Sequence, residues 1–263
     1  SIFKKYFRVW WKTTLFVFSA DLANRGAAGL LLVGKLLRFL FFLGFLILLT
    51  TRTKTLAGYN LSQVVFFFLT FNLVDITVQF LLRGIYHFRP LIIKGNFDFY
   101  LTKPVSPLFQ SLTSHTDILD LITLVPLILY LIFFLASGKL IATLAGVFLY
   151  CLLVFNAFLI ALAFHIVVLA IGILTTEVDH LIWIYRDLTG TGRIPVDIYR
   201  PPLRAFLTFI IPVGMMMTFP AKALMGLLQL WLIIFSLIFA GLFLYLALRF
   251  WHFALKRYTS ASS

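Results

Sequence analysis

Charge is what this sequence has least of. Only 12% of its 263 residues are Asp, Glu, Lys or Arg, and 62% are hydrophobic, where a soluble domain carries roughly 25% charged residues. A water-soluble fold cannot hide that much apolar side chain. Cysteine is nearly missing as well. Cys151 stands alone inside an apolar run, which excludes a disulfide within this chain and a thiolate metal cluster, and leaves the redox compartment unread. The five histidines, His87, His115, His165, His180 and His252, form no HExxH and no pairing with acids that suits zinc. No GxSxG and no Ser, His and acid set on facing helices is found either. The sequence therefore carries no catalytic constellation, and the expectation is a protein that is not an enzyme. A cleavable leader is not expected, because the start runs from basic to amphipathic with no small-residue site behind a short apolar core.

What charge there is has one sign. Lys and Arg number 22 against nine acids, a net charge of +13. Nucleic acid is excluded as the reason, since the basic residues sit at the ends of apolar runs and are not gathered on one solvated face. At such ends they mark the cytoplasmic side of a membrane. Lys4, Lys5, Arg8, Lys12, Arg25, Lys35 and Arg38 crowd the first 38 residues against the single acid Asp21, which places the N-terminus inside.

Phenylalanine is abundant, 31 residues, and sits in long runs that are apolar all round and want lipid or a bundle within lipid. Residues 2–18 differ: Phe3, Tyr6, Phe7, Trp10, Trp11 and Leu15 recur at helical spacing with basic residues between them. This predicts a helix on the inner membrane surface, the interfacial element 1–27. Spans are expected at 28–50, 61–82 and 118–136, with a fourth from Leu140 onward and a last one over 227–250. Between the second and third, 83–117 holds Pro90, Pro104, Pro107, Gly84 and Gly95 among basic residues, and reads as a cytoplasmic loop. The fifth span has two readings. Either it is 205–223, or it comes earlier and 192–226 dips into the outer leaflet and returns. Both give six spans, an all-α membrane protein with both ends cytoplasmic and a single transmembrane domain.

Three segments hold candidate function. GLLLVGKL at 29–36 nearly spells a phosphate-binding loop, but Leu36 occupies the place of the magnesium-binding Ser or Thr and the segment opens a membrane helix. Gly29 and Gly34 are instead expected to allow close helix packing while Lys35 and Arg38 snorkel to the interface. Asn72, Asp75 and Gln79 share one helical face inside the second span. A carboxylate at membrane depth is costly unless it meets protein or water, so this face lies on a substrate path or bonds a neighbouring helix. In KGNFDFYLTKPVSPLF, 94–109, Phe97 and Tyr100 look exposed beside Asp98, and Pro104 stops the helix. The segment reads as a short projecting helix with aromatic anchors, or as an interfacial loop.

That loop, together with GRIPVDIYRPPLRAFLTFIIPVGMMMTFPAKALMG at 192–226 and the ending FWHFALKRYTSASS, resembles a bacterial permease subfamily of the type-2 ABC exporters, similar to foreign-compound and viologen-type efflux permeases. The similarity covers most of the chain. Its strongest element is the set Pro195, Asp197, Tyr199, Leu203, Pro212, Pro220 and Ala221, followed by Gly95, Asp98, Leu101, Pro104 and Pro107, and then Trp251, Arg257 and Tyr258. The resemblance implies six spans, a second permease that is identical or a companion, and two separate ATPase subunits beneath. By that analogy Phe97, Asp98 and Tyr100 contact the ATPase, the fifth span is the earlier one, and ATP and magnesium bind the partner, with no cofactor on this chain. The expected activity is ATP-driven efflux of an amphiphilic, lipid-like or foreign compound from the cytoplasm across the bacterial inner membrane. The alternatives are a membrane scaffold or sensor, and a proton-driven carrier using Asp75.

Overall fold

The structure, a computed structural model, describes residues 2–23 and 25–259. The last residues of the polar ending, 260–263, lie outside them. Among the described residues the chain is helical throughout, with no β-strand. Five helices are long and apolar enough to cross a membrane: α2 (Arg25–Thr53), α3 (Leu61–Leu82, followed closely by further helical turns), α7 (Ile118–Ala136), α8 (Leu144–Thr175) and α12 (Leu230–Lys256). The second and third keep the limits read from the sequence. The fourth starts four residues later than expected, because Thr143 caps it, its hydroxyl accepting from the Gly146 N–H at 3.0 Å.

Local chemistry sets these limits. Asn60 and Gln63 exchange side-chain and backbone hydrogen bonds at 2.9 and 3.0 Å, a capping box that starts α3. The turn before it is closed by paired bonds between Leu56 and Tyr59. Asp117 starts α7 by accepting from the Leu119 N–H at 2.8 Å.

The bundle has two ends. At one, α3 runs into a 3₁₀ turn, Arg83–His87, and then α4 (Phe88–Ile93), α5 (Asp98–Thr102) and α6 (Pro107–Thr113). Gly84 lies so close to the carbonyls of Ser111 and Leu112 that a Cβ there has no room, which seats α6 directly under α3. The amphipathic helix α1 (Ile2–Ala23) lies on this assembly. Tyr6 accepts from the Ser106 N–H at 3.1 Å, Thr14 bonds Thr116 at 3.0 Å, and the Lys5 ammonium reaches the Pro104 carbonyl. Its other stripe, with Phe3, Phe7, Trp11 and Phe16, is exposed, as a helix half-sunk in a membrane surface requires.

The core lies between α8 and α12, the most extensive helix pair. Ala157, Ala161, Ala240 and Ala247 are fully or almost fully buried, and small residues let the two backbones approach. Asn156 fixes their register by donating to the Ser236 hydroxyl at 2.8 Å. By contrast, α2 buries only Leu46 and Thr50.

Between α8 and α12 the chain runs from the loop end to the opposite end and then doubles back. It starts at α9 (Asp179–Gly190), where Asp179 pairs with Arg89 of the loop assembly at 3.4 Å. It reaches the opposite end at Asp197, whose carboxylate accepts from the Tyr59 hydroxyl at 2.8 Å. Then α10 (Pro201–Ala205) and a π-helical turn, Phe206–Ile210, lead into a second limb, a π-helical turn over Gly214–Thr218 followed by α11 (Phe219–Leu224), bent 83° from the first. Arg204 on the first limb and Lys222 on the second stand 3.9 and 3.2 Å from the same Asp197 carboxylate. Both limbs thus have their outer ends at one point, the geometry of a re-entrant hairpin. Of the two readings of the fifth span, this arrangement agrees with the earlier, in which 192–226 turns back on itself.

Candidate functional site

A cavity of about 730 Å³ opens between α2, α3, α7 and α9. Along α2 it extends from Leu30 to Phe42, about 18 Å at 1.5 Å per residue. Phe39, Phe42, Phe68 and Phe71 make one apolar wall, Leu127, Tyr130 and Pro126 another. Asn72, Asp75 and Gln79 all line it. The face singled out in the second span is therefore brought to one place, but its three residues do different things. Gln79 is buried and accepts from the Tyr86 hydroxyl and the Arg186 guanidinium, at 3.2 and 3.3 Å. Asn72 donates to the Phe68 carbonyl of its own helix at 2.7 Å. Asp75 is half-buried on the cavity wall and, among the described residues, has no cation within 4.0 Å.

Three guanidinia share that wall. Arg186 comes from α9, Arg193 from the turn after it, and Arg38 from α2. Arg186 also receives the Trp183 ring at 5.9 Å, and Arg193 lies over the Phe42 and Phe71 rings at 5.7 and 5.9 Å. Such cation–π seats hold a guanidinium in place while leaving its N–H groups open. A charged side chain at membrane depth costs about 2.5–3.5 kcal/mol on insertion scales, so charges here belong to a water-filled or ligand-filled space.

Toward the loop end the cavity closes on a four-residue ion network. Lys35 stands 2.9 Å from Asp117 and 2.5 Å from Asp120, and Arg83 stands 2.7 and 3.1 Å from the same two acids. Lys35, expected to reach towards the interface, is held at this end by Asp117, the N-cap of α7, and by Asp120. The network joins α2, the end of α3 and the start of α7. Gly29 and Gly34 were expected at a close helix contact; a Cβ at either meets nothing within 4 Å, because α2 is peripheral in this chain.

The short helix α5 belongs to the assembly that follows Arg83. Phe97 is not exposed, as the sequence suggested, but fully buried. Its ring packs edge-on against Phe88, Trp251 and Tyr258, at 5.4, 6.4 and 5.1 Å. Asp98 accepts from the Tyr258 hydroxyl at 3.0 Å, and Tyr100 is half-buried, with Lys103 over its ring at 5.2 Å. The Trp251 to Tyr258 segment thus clamps α5 to the bundle. The aromatic that projects is Phe99, 64% exposed, with Leu101 and Ile93 beside it and Lys94 and Lys103 at the rim.

The remaining polar cluster behind the loop holds the stacked rings of His87 and His115, 3.6 Å between centroids. Burial, and then the neighbouring His87 and Arg83, push the His115 imidazole down to about 4. At the other end, burial and then the bond to Asp197 hold the Tyr59 hydroxyl well above the usual phenol range.

The sequence missed Asp117 and Asp120 as a pair, although their spacing of three and the position of Asp120 inside an apolar run carried the signal. Nor did it single out Arg186 and Arg193, which line the cavity. Compared with known families, the chain matches the model described as ABC-2 family transporter protein over residues 36–262. No curated protein and no solved structure matches it.

Proposed function

The chain belongs to the ABC-2 transporter family, as the membrane component of such a transporter, and we propose that it exports an amphiphilic compound through the α2–α3–α7–α9 cavity. Hydrolysis of ATP with magnesium falls to separate ATPase subunits beneath the loop end, and a second permease, identical or a companion, faces the poorly covered α2. The loop end carries the basic N-terminal helix and the tail with Lys256 and Arg257, and by the positive-inside rule this supports a cytoplasmic position for it and for both termini. The resemblance to bacterial permeases supports a bacterial cytoplasmic membrane.

One observation supports this reading: a charged cavity between the long apolar helices is bounded by an ion network that includes Arg83, which opens the turn leading into the α4–α6 assembly with its exposed, apolar-tipped α5. Closure of the ATPases would push on α5, where Phe99 and Leu101 are the contact surface and Asp98 and Tyr100 its rim. Phe97 transmits the push, since it ties α5 to α12. Displacement of α4 to α6 reaches Arg83 and Asp117, and from there Lys35 on α2, so that the cavity mouth responds to the loop.

The test is co-isolation from the native membrane in mild detergent, with hydrolysis of ATP assayed in the eluate. The expected result is an ATPase that stays with the chain and is lost on the Phe99→Ala, Leu101→Ala double substitution. If the chain purifies alone, with no hydrolysis, the ABC reading fails. A proton-driven carrier would then be the reading to test, through Asp75→Asn.

A further inference from the structure

We propose that the cavity is built for the anionic head of an amphiphile, a phosphate, phosphonate, sulfate or carboxylate carried on an apolar tail. The inference rests on the permease reading above and narrows its cargo. Its ground is the charge left over after the cavity's own pairs are counted. Lys35 and Arg83 are consumed by Asp117 and Asp120. Arg38, Arg186 and Arg193 remain, with no carboxylate within 4.0 Å of any of them among the described residues. The bonds that Arg186 makes go to neutral oxygens, those of Gln79 and Tyr86 at 3.3 Å each. Against these three guanidinia the wall offers one carboxylate outside the network, Asp75, which has no cation within 4.0 Å among the described residues. The surplus is two positive charges.

A cationic cargo meets repulsion in such a space, although its aromatic wall would otherwise suit one. An anion meets planar donor forks that match a phosphate or carboxylate bidentately, which a lysine does not provide. The guanidinia are also spread along the axis. Arg186 and Arg193 are seven positions apart on the rising fifth crossing, about 10 Å if helical throughout. A head held first near Arg186 and Arg38, and then near Arg193, advances from the loop end towards the opposite end without leaving cationic surroundings. The tail has a path alongside, because the α2 wall presents exposed Leu30, Leu31 and Leu36. Asp75 lies on the same wall, and an anionic head supplies the close counter-charge that it does not. The volume, about 730 Å³, falls in the range that encloses a drug-sized ligand.

The experiment is equilibrium binding to the purified chain in a nonionic detergent, read by tryptophan emission, with Trp183→Phe to show that the signal arises in the cavity. Four probes are compared: dodecyl phosphate, dodecyltrimethylammonium, dodecylphosphocholine and inorganic phosphate. Dodecyl phosphate is expected to bind at least tenfold tighter than each of the others. Arg186→Gln with Arg193→Gln should cost at least tenfold for dodecyl phosphate and nothing for the ammonium probe. Arg38→Gln, at an exposed position on α2, serves if that pair fails to fold, and should cost threefold or more. Equal or tighter binding of the ammonium probe overturns the proposal, as does unchanged binding of dodecyl phosphate by the arginine variants. Inorganic phosphate binding as tightly as dodecyl phosphate points to a free-anion site and refutes the amphiphile. Because binding needs no ATPase, a chain that binds dodecyl phosphate but co-isolates with no ATPase overturns the transport reading alone. The reverse outcome overturns only the cargo.

Discussion

Removing the acids from the Lys35, Arg83, Asp117 and Asp120 network should cost more in combination than the single losses add up to. The acid side chains are 9% and 7% exposed, the cations 25% and 35%. Each acid touches both cations, so either acid alone still serves both. Asp120→Asn therefore leaves Lys35 and Arg83 paired with Asp117 and keeps an amide oxygen facing both, so it costs about 1 kcal/mol, the size of a typical net hydrogen bond. Asp117→Asn should behave alike, because asparagine keeps the cap on Leu119. With both acids gone, two cations face an apolar wall with no partner. Breaking a buried pair costs about 3–5 kcal/mol. Since Lys35 and Arg83 keep some access to solvent, roughly 1 kcal/mol of that is relieved. Where each single loss costs near 1 kcal/mol, the double variant should then exceed the sum of the singles by about 1 kcal/mol. The assay is equilibrium unfolding in mixed micelles, titrated with dodecyl sulfate and followed by far-UV circular dichroism. Additivity within about 0.5 kcal/mol would show that the four residues do not act as one unit, and the mechanical link from loop to cavity would lose its basis.

Three further outcomes follow from the same geometry. Phe97→Ala should lower stability by about 3–5 kcal/mol, as for any fully buried Phe, while Phe99→Ala leaves unfolding unchanged and weakens only ATPase association; equal effects of both in the unfolding titration would contradict the anchor-and-tip division of α5. His115, held neutral down to about 4 against an ordinary 6.5, makes the unfolded chain bind the extra proton between those values, so stability falls as pH drops from 6.5 to 4 and levels off below. His115→Gln should flatten that slope, and an unaltered slope would mean that other groups set it. Asp197→Asn weakens one junction shared by Tyr59, Arg204 and Lys222, and should raise proteolysis of 198–228 by about tenfold, near 1.4 kcal/mol of local opening; an unchanged cleavage rate would argue that the hairpin is held by packing alone.

The sequence showed the spans because lipid imposes long apolar runs, and α3 and α7 begin where Asn60 and Asp117 offer caps that can be read by eye. It also grouped Asn72, Asp75 and Gln79, since helical spacing alone puts them on one face. It could not tell which of the three would be open to a ligand. That depends on Arg186, which arrives from more than a hundred positions away and occupies Gln79 while leaving Asp75 free. Phe97 was misjudged for a related reason. A pair of aromatics three apart in a polar loop looks exposed locally, but Trp251 and Tyr258 at the far end of the chain cover one of them. The fifth crossing was ambiguous because its α9 is short and charged, and the meeting of Arg204 and Lys222 at Asp197, which favours a hairpin, joins residues far apart in sequence.

The central claim is that this cavity is a cargo path whose opening follows ATP at the loop end. The most direct measurement starts from a chain whose exposed Cys151 is replaced by serine and whose cavity residue Thr123 is replaced by cysteine. Its reaction with a membrane-impermeant maleimide is timed in inside-out and right-side-out native vesicles, with and without a non-hydrolysed ATP analogue. The account predicts fast labelling from the cytoplasmic side without nucleotide, and at least tenfold slower labelling from that side once the analogue is bound. Labelling at the same rate with and without nucleotide, from either side, would contradict it.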